Sequence, residues 1–262
     1  MQTQQDLIGL IPAAGLAQRL QSLNLNCSKE ITPIGSISSK SGLERPKPVC
    51  AYLLESMVRA GAQTIHIVLR KGKWDIPTLL GDGSDYDVSL SYLIMNQPFG
   101  VPYTINQARD FARGKTVLFG FPDIICDPQT VYKKLLAKLH KTKADVVLGL
   151  FPVSNSRQWD SVKTDADGNV LAVSPKSSSQ IFEYAWANAV WADRFTSSIE
   201  AITGRTDSSL AGSGELSVGH VLQKGIEGGL KISSCFFKEG WCIDIGTPEG
   251  LRAARKKLTA DF

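Results

Sequence analysis

The sequence predicts an α/β protein built on a doubly wound, mostly parallel sheet, with a small β-rich portion in its second half. Three observations carry that expectation. Apolar strand-like runs alternate with amphipathic segments four times within about the first 150 residues, the rhythm of βαβ crossovers. A helical pattern ends at Gly61 and a β-branched run follows at once. A chain of 262 residues that is 43% hydrophobic and 21% charged can also hold one large core without disulfide or metal staples. One domain over 1–262 is therefore expected, in two parts that divide near residue 150.

The elements follow in order. DLIGLIPAAG (6–15) is an apolar run ending in small residues, as a buried parallel strand does where it meets a ligand-facing loop. Residues 16–48 read as one long loop, and connections longer than about 15 residues are uncommon unless they have a job. This makes the segment a candidate flap. VCAYLLESMVRAG (49–61) sets apolar residues at 49, 53, 54, 57 and 58, one face of a helix. TIHIVLR (64–70) is the next strand, with His66 read as a packed histidine. WDIPTLLGDGSDY (74–86) is a short helix ending in turn residues, and VSLSYLIM (88–95) is a strand. Residues 96–112 open as a loop and become helical. KTVLFGFPDII (115–125) reads as one buried strand, 128–141 as a helix and ADVVLGLFPV (144–153) as a strand.

The second half changes texture. Residues 161–176 read as a hairpin with Asp167-Gly168 at its turn. An aromatic strand enters a helix over 182–195, and a glycine-rich loop precedes a helix at 215–226. Strands follow at 230–237 and 241–246. The last helix, 247–258, starts with Thr247 as cap and Pro248 at its first position.

Composition excludes several partners. Lys and Arg total 29 against 25 Asp and Glu, a mild excess with no broad basic stripe, so nucleic acid is not expected. RAARKKL (252–258) reads as the solvated end of the last helix. No 18-residue apolar window exists and the N-terminus lacks a basic leader, so no membrane partner is expected. Cysteines 27, 50, 126, 235 and 242 form no CxxC pair. A reducing, cytoplasmic setting is the default expectation.

Three constellations could carry chemistry. In AAGLAQR (13–19), small residues let backbone amides approach a phosphate, with Arg19 as a cation beyond them; the other reading is an ordinary strand-to-helix turn. Lys29, in SKEITPIG, is either a second phosphate clamp or a surface lysine. Asp123 and Asp244 each end or interrupt an apolar strand, where an unpaired carboxylate is costly. If the strands are adjacent, the two make an oxygen site for a hard cation such as Mg²⁺; otherwise each is a capping aspartate.

In series these segments resemble the nucleotidylyltransferases that activate sugar phosphates, the glucose-1-phosphate thymidylyltransferase and UTP–glucose-1-phosphate uridylyltransferase group. AAGLAQR matches that family's glycine-rich loop and SKEITP its lysine segment. The likeness continues through KPVCAYLLESMVRAGAQTIHIV, LLGDGSDYDVSLSY, Gly100-Val101-Pro102, the strand reaching Asp123, GELSV (214–218) and WCIDIGTPEG (241–250). The resemblance implies a Rossmann-like nucleotidyltransferase fold, with a nucleotide-binding part over about 1–150 and an acceptor-binding part after it. It implies Mg²⁺-dependent transfer of a nucleotidyl group from a nucleoside triphosphate to a sugar-1-phosphate or similar small phosphate, with pyrophosphate leaving. Arg19, Lys29 and Asp123 stand at the catalytic positions, and Asp123 and Asp244 at the metal positions. Ala13, Ala14, Gly15, Leu16, Ala17, Gln18, Met95 and Gly100 fall at nucleotide-binding positions. Lys176, Glu183, Trp186 and Asn188 fall on the acceptor side. Homo-oligomers fit the resemblance.

The departures concern base and sugar. Ala17 replaces the loop's second glycine, and Met95 stands where a glutamine reads the pyrimidine. Pro175 replaces the glutamate before Lys176, and Asn188 replaces a sugar-pocket glycine. Trp186 and Trp191 are either core or a stacking surface. An alternative is a cytidylyltransferase acting on a non-sugar phosphate or phosphonate. Another is a binding protein that has lost turnover.

Overall fold

The alternation of apolar runs and amphipathic segments resolves, in a computed structural model, into thirteen strands and eight α-helices among the described residues. Those residues are 6–23, 25–38, 42–96, 99–153, 158–176, 178–179, 181–204 and 216–258. The chain runs through β1 (Leu7–Ala13), β2 (Pro33–Ser38), β3 (Glu44–Pro48), α1 (Val49–Arg59), β4 (Thr64–Arg70), α2 (Asp75–Leu80), β5 (Ser89–Met95), α3 (Val101–Asn106), α4 (Arg109–Ala112), β6 (Thr116–Gly120) and β7 (Ile124–Asp127). It continues through α5 (Val131–Thr142), β8 (Val146–Pro152), β9 (Ser161–Thr164), β10 (Val170–Ser174), β11 (Tyr184–Trp191), α6 (Asp193–Thr203), α7 (Val218–Glu227), β12 (Ile232–Phe236), β13 (Trp241–Asp244) and α8 (Pro248–Leu258).

β1 lies at the centre of the main sheet. Parallel neighbours β4 and β6 flank it, and β5 adds in parallel beyond β4. The order β5-β4-β1-β6 is the half-sheet of a doubly wound fold, whose ligands sit beyond the carboxyl ends of the strands. Residues of β1 alternate between faces: Ile8 and Leu10 join one buried cluster, Ile11 and Ala13 the other. Leu54 and Met57 of α1 and Leu135 and Leu139 of α5 cover one face. Ile105 of α3, Phe195 of α6 and Val221 of α7 cover the other.

β11 ties the two halves of the chain into one sheet. It runs antiparallel between β6 and β8, both from the first 153 residues, and its start also pairs with β9. β12 then adds in parallel beyond β8. The expected hairpin is β9–β10, and Asp165 accepts from the N–H groups of Asp167 and Asn169 at its turn. Thr247 caps α8 through Oγ1, which accepts from Gly250 N–H at 3.1 Å. His66 is buried, its ring tilted on Phe111 at 4.7 Å. No helix among the described residues is long and apolar enough to cross a membrane.

Three expectations need correction. Residues 115–125 are not one strand: β6 stops at Gly120, the chain turns through Phe121-Pro122-Asp123, and β7 leaves the main sheet to pair with β13. Pro122 has no N–H to continue a ladder, which gives the break its reason. Nor is the stretch 16–48 without structure. Two 3₁₀ turns precede the antiparallel β2–β3 hairpin, which is legible only as a pair because strands of mixed polarity carry no period. The helix expected at 215–226 begins at Val218, behind Ser217 whose hydroxyl accepts from His220 N–H. Gly214 and Glu215 of the GELSV segment lie outside the described residues.

Candidate active site

At the carboxyl ends of β1 and β6 a cleft of about 480 Å³ opens, lined by Ala14, Gly15, Leu16, Ala17 and Arg19 on one side. Lys29, Asp123 and Asp244 form its floor, and Lys176 and Trp186 stand on its far wall. The aspartates meet because β7 and β13 pair antiparallel, Asp244 opposite Ile124, with Ile245 N–H donating to Asp123 C=O at 2.9 Å. Residues 121 positions apart in sequence thus stand side by side.

Each carboxylate faces a cation. The Lys29 ammonium donates to Asp123 Oδ2, and Arg19 Nη2 donates to Asp244 Oδ2 at 3.4 Å. Burial pushes Asp123 up, but the Lys29 charge and hydrogen bond overrule it and hold Asp123 below the usual carboxylate range. Burial likewise pulls Lys29 down, and the charges of Asp123 and Glu30 reverse this, so it stays protonated beyond the ordinary lysine range. Asp244 is raised, by burial first and by repulsion from Asp123 second. The fold thus holds two carboxylates close together and offsets their repulsion with two cations.

Gly246 makes the packing of this group possible. A Cβ there would lie 2.7 Å from Asp244 Oδ1, 3.1 Å from Asp123 Oδ2 and 3.1 Å from Arg19 Nη2. One atom-sized space therefore borders both carboxylates and the guanidinium. Among the described residues no three His, Cys, Asp or Glu side chains form a metal cluster. Two carboxylates with phosphate and water completing the shell are the donor set typical of Mg²⁺, so the residues present fit that ion.

Lys29 is positioned by what flanks it. Ser28 donates to Asp75 through its N–H at 2.6 Å and its hydroxyl at 2.9 Å, pinning the 3₁₀ turn Lys29–Ile31 to the start of α2. Glu30 points the other way and accepts from Lys73 Nζ at 2.6 Å, with both side chains buried. Neither residue was picked out by the sequence, because an ion pair between positions 30 and 73 has no local signal. Replacing Lys73 by Met leaves Glu30 buried without its cation and is expected to cost about 3 kcal/mol. Urea unfolding measures this directly, and adding Glu30→Gln should recover part of the loss.

Ala17 adopts φ 53°, the left-handed region that disfavours a side chain. The loop thus keeps a glycine-type backbone at the family's glycine position. Ala17→Gly is expected to raise stability by about 0.5 kcal/mol, the relieved strain outweighing the added freedom of the unfolded chain. A shift in urea midpoint at unchanged slope checks it.

On the far wall, Asp160 organises the loops. Its Oδ1 accepts from Lys176 N–H at 2.9 Å and its Oδ2 from Gly219 N–H at 3.0 Å, near the start of α7. Burial raises Asp160 against these two bonds. Trp186 is buried, 5.6 Å from Phe121 and 6.2 Å from Phe119 between ring centroids. It is at once core and cleft wall. Lys176 is exposed at the rim, and Gly100 lines the cleft while bridging to Leu216. Gly246, Asp160 and Trp159 line the cleft too and were not singled out from sequence.

Several expected site residues are not brought to the cleft. Met95 is 6% exposed and packs in the core at the end of β5, so its thioether is not a cleft contact. Asn188 is buried on β11 and donates to the Tyr132 hydroxyl at 3.0 Å, away from the cleft lining. Ala13 is sealed under the loop, and Glu183 is exposed outside the lining. The Gln18 side chain lies outside the described residues.

The chain as a whole has known counterparts. A sequence profile described as nucleotidyl transferase matches residues 8–261. The chain belongs to the nucleotidyl transferase family. A relative within reach of this family member is the low-salt glycan biosynthesis nucleotidyltransferase Agl11 of Haloferax volcanii, 27% identical over 260 residues, 97% of this chain and 66% of that one. A glucose-1-phosphate thymidylyltransferase of Mycolicibacterium smegmatis is 28% identical over 180 residues, 68% of this chain and 58% of that one. The chain thus spans about two thirds or less of the length of these two relatives. Its fold is also that of a solved UDP-glucose pyrophosphorylase complexed with UDP-glucose, at TM-score 0.78 and 16% identity, covering 97% of this chain and 99% of that one. The nucleotidyl transferase fold, with its Rossmann-like sheet, is therefore shared across low sequence identity.

Proposed function

We propose that this chain transfers a nucleotidyl group from a nucleoside triphosphate to a sugar-1-phosphate or similar small phosphate and releases pyrophosphate. The observation that carries the reading is the Lys29–Asp123 and Arg19–Asp244 quartet, set under the 14–19 loop in one cleft. The loop amides and Arg19 hold the triphosphate, and Lys29 neutralises charge that builds as the α-phosphorus changes partners. An oxygen of the acceptor phosphate, already ionised, attacks that phosphorus in line with the leaving pyrophosphate. Positioning and charge are what the chain supplies, and no strong base is required. Asp123 and Asp244 would hold Mg²⁺, which when bound screens the phosphates from the two carboxylates. Lys176 grips the acceptor phosphate from the far wall.

With Met95 withdrawn into the core, the cleft offers Leu16, Gly100, Val101 and Thr104 to the base. The base and the acceptor are accordingly read out by experiment. The reading includes a cytoplasmic, homo-oligomeric enzyme with no nucleic-acid or membrane partner. A pyrophosphate-release screen should use the four ribonucleoside triphosphates and dTTP with Mg²⁺, against sugar-1-phosphates, inositol phosphate and small phosphonates. Turnover with at least one pair is expected, and turnover with a phosphonate alone would move the acceptor to the alternative class. Silence across the whole panel overturns the proposal.

A further inference from the structure

The strands that carry the cleft carboxylates also carry two cysteines, and the register sets these face to face. Cys126 of β7 pairs with Cys242 of β13, next to the Asp244–Ile124 end of the same ladder. Opposed residues of an antiparallel pair have Cα atoms about 4.5–5.5 Å apart, with both side chains on one face. A disulfide needs Cα atoms about 4.4–6.8 Å apart, a range that includes the spacing of opposed ladder residues. Cys126 is 7% exposed and packs in the core, whereas Cys242 is half-buried, the more exposed of the two. The other three thiols lie on other elements and none is a ladder partner of Cys126 or Cys242: Cys27 before the lysine turn, Cys50 buried in α1, and Cys235 on β12, where its thiol donates to Lys134 C=O at 3.8 Å.

We infer that Cys126 and Cys242 form a dithiol oxidation site, which a small disulfide such as glutathione disulfide closes into an intrachain bridge. The Cys242 sulfur, giving up its proton, attacks the small disulfide. A mixed disulfide forms and one glutathione leaves as thiol. The Cys126 sulfur, giving up its proton in turn, attacks the Cys242 sulfur and the second glutathione leaves. Two electrons and two protons pass from the protein dithiol to the small disulfide, which ends as two thiols. The bridge ties β13 to β7 beside Asp123 and Asp244 and closes a long loop in the unfolded chain, which favours the folded state.

The full chain should be incubated with glutathione disulfide, its remaining thiols alkylated under denaturing conditions, and its peptides mapped by mass. The expected product is a peptide pair joined through Cys126 and Cys242, within one chain and lighter by two hydrogens. The melting temperature should rise by about 5 °C and return on reduction. In Cys126→Ser the reaction should stop with one glutathione on Cys242, and in Cys242→Ser the temperature shift should vanish. Alkylation of both cysteines after oxidation of the native chain overturns the inference. So does a bridge from Cys126 to Cys50, or a shift in melting temperature that survives Cys242→Ser.

Discussion

Asp123→Asn is expected to lower turnover by about 10³-fold, the largest single effect in the molecule. The substitution removes the charge that Lys29 answers, so the ammonium is left in a buried place with a neutral partner. It also removes half of the carboxylate pair that would hold Mg²⁺. The fold should weaken as well, by about 2 kcal/mol, because Lys29 keeps a hydrogen-bond acceptor but loses its ion pair. Pyrophosphate release under saturating substrate, set beside urea unfolding of the same preparation, separates the two effects. Turnover within threefold of the native chain would remove Asp123 from the machinery. The linkage has a definite sign. Asp123 titrates below an ordinary carboxylate, so its pairing stabilises the fold above the unfolded value near 4, and that stability is lost as pH falls through the folded value. In Asp123→Asn this acid limb of the stability profile should flatten.

Gly246→Ala is expected to cost about 10²-fold in turnover while leaving the melting temperature nearly unchanged. The added methyl would arrive 2.7 Å from Asp244 Oδ1, closer than a real Cβ contact, so the carboxylate has to move. Arg19, at 3.1 Å, is the exposed end of a flexible side chain and can give way cheaply, whereas Asp123 at 3.1 Å is held by Lys29. The strain therefore falls on the geometry between the two aspartates. A shift there of a fraction of an ångström misplaces groups whose contribution is positional. Steady-state kinetics across a Mg²⁺ titration reads this out. The expected variant needs more metal for half-maximal rate, and a rate unchanged at every metal concentration would show that this space has no part in the reaction.

The legible part of the site was the part written in short segments. AAGLAQR, SKEITP and the aspartates at strand ends stand out because small residues, a lysine beside proline and a carboxylate in an apolar run each break a local pattern. Arg19, Lys29, Asp123, Asp244, Lys176 and Trp186 do reach one cleft. Met95 and Asn188 do not, although the matching positions placed them there. Each sits on a buried strand, and a strand residue points to one face or the other according to register, which a single residue's position does not reveal. Glu30, Lys73 and Asp160 were passed over for a related reason: their partners are distant in sequence, so nothing nearby marks them as buried.

By itself the sequence determined most of the succession of strands and helices, the expectation of a doubly wound, mostly parallel sheet, and the cap of α8. Those features follow from hydrophobic period, turn residues and caps, which act over a few residues. Tertiary structure alone decided that β11 runs between β6 and β8, that the chain breaks at Pro122, and that β7 leaves to find β13. From that last pairing come the meeting of Asp123 with Asp244 and the opposition of Cys126 to Cys242. Pairing between segments more than a hundred residues apart is chosen by what can be buried together, and burial is a property of the assembled sheet.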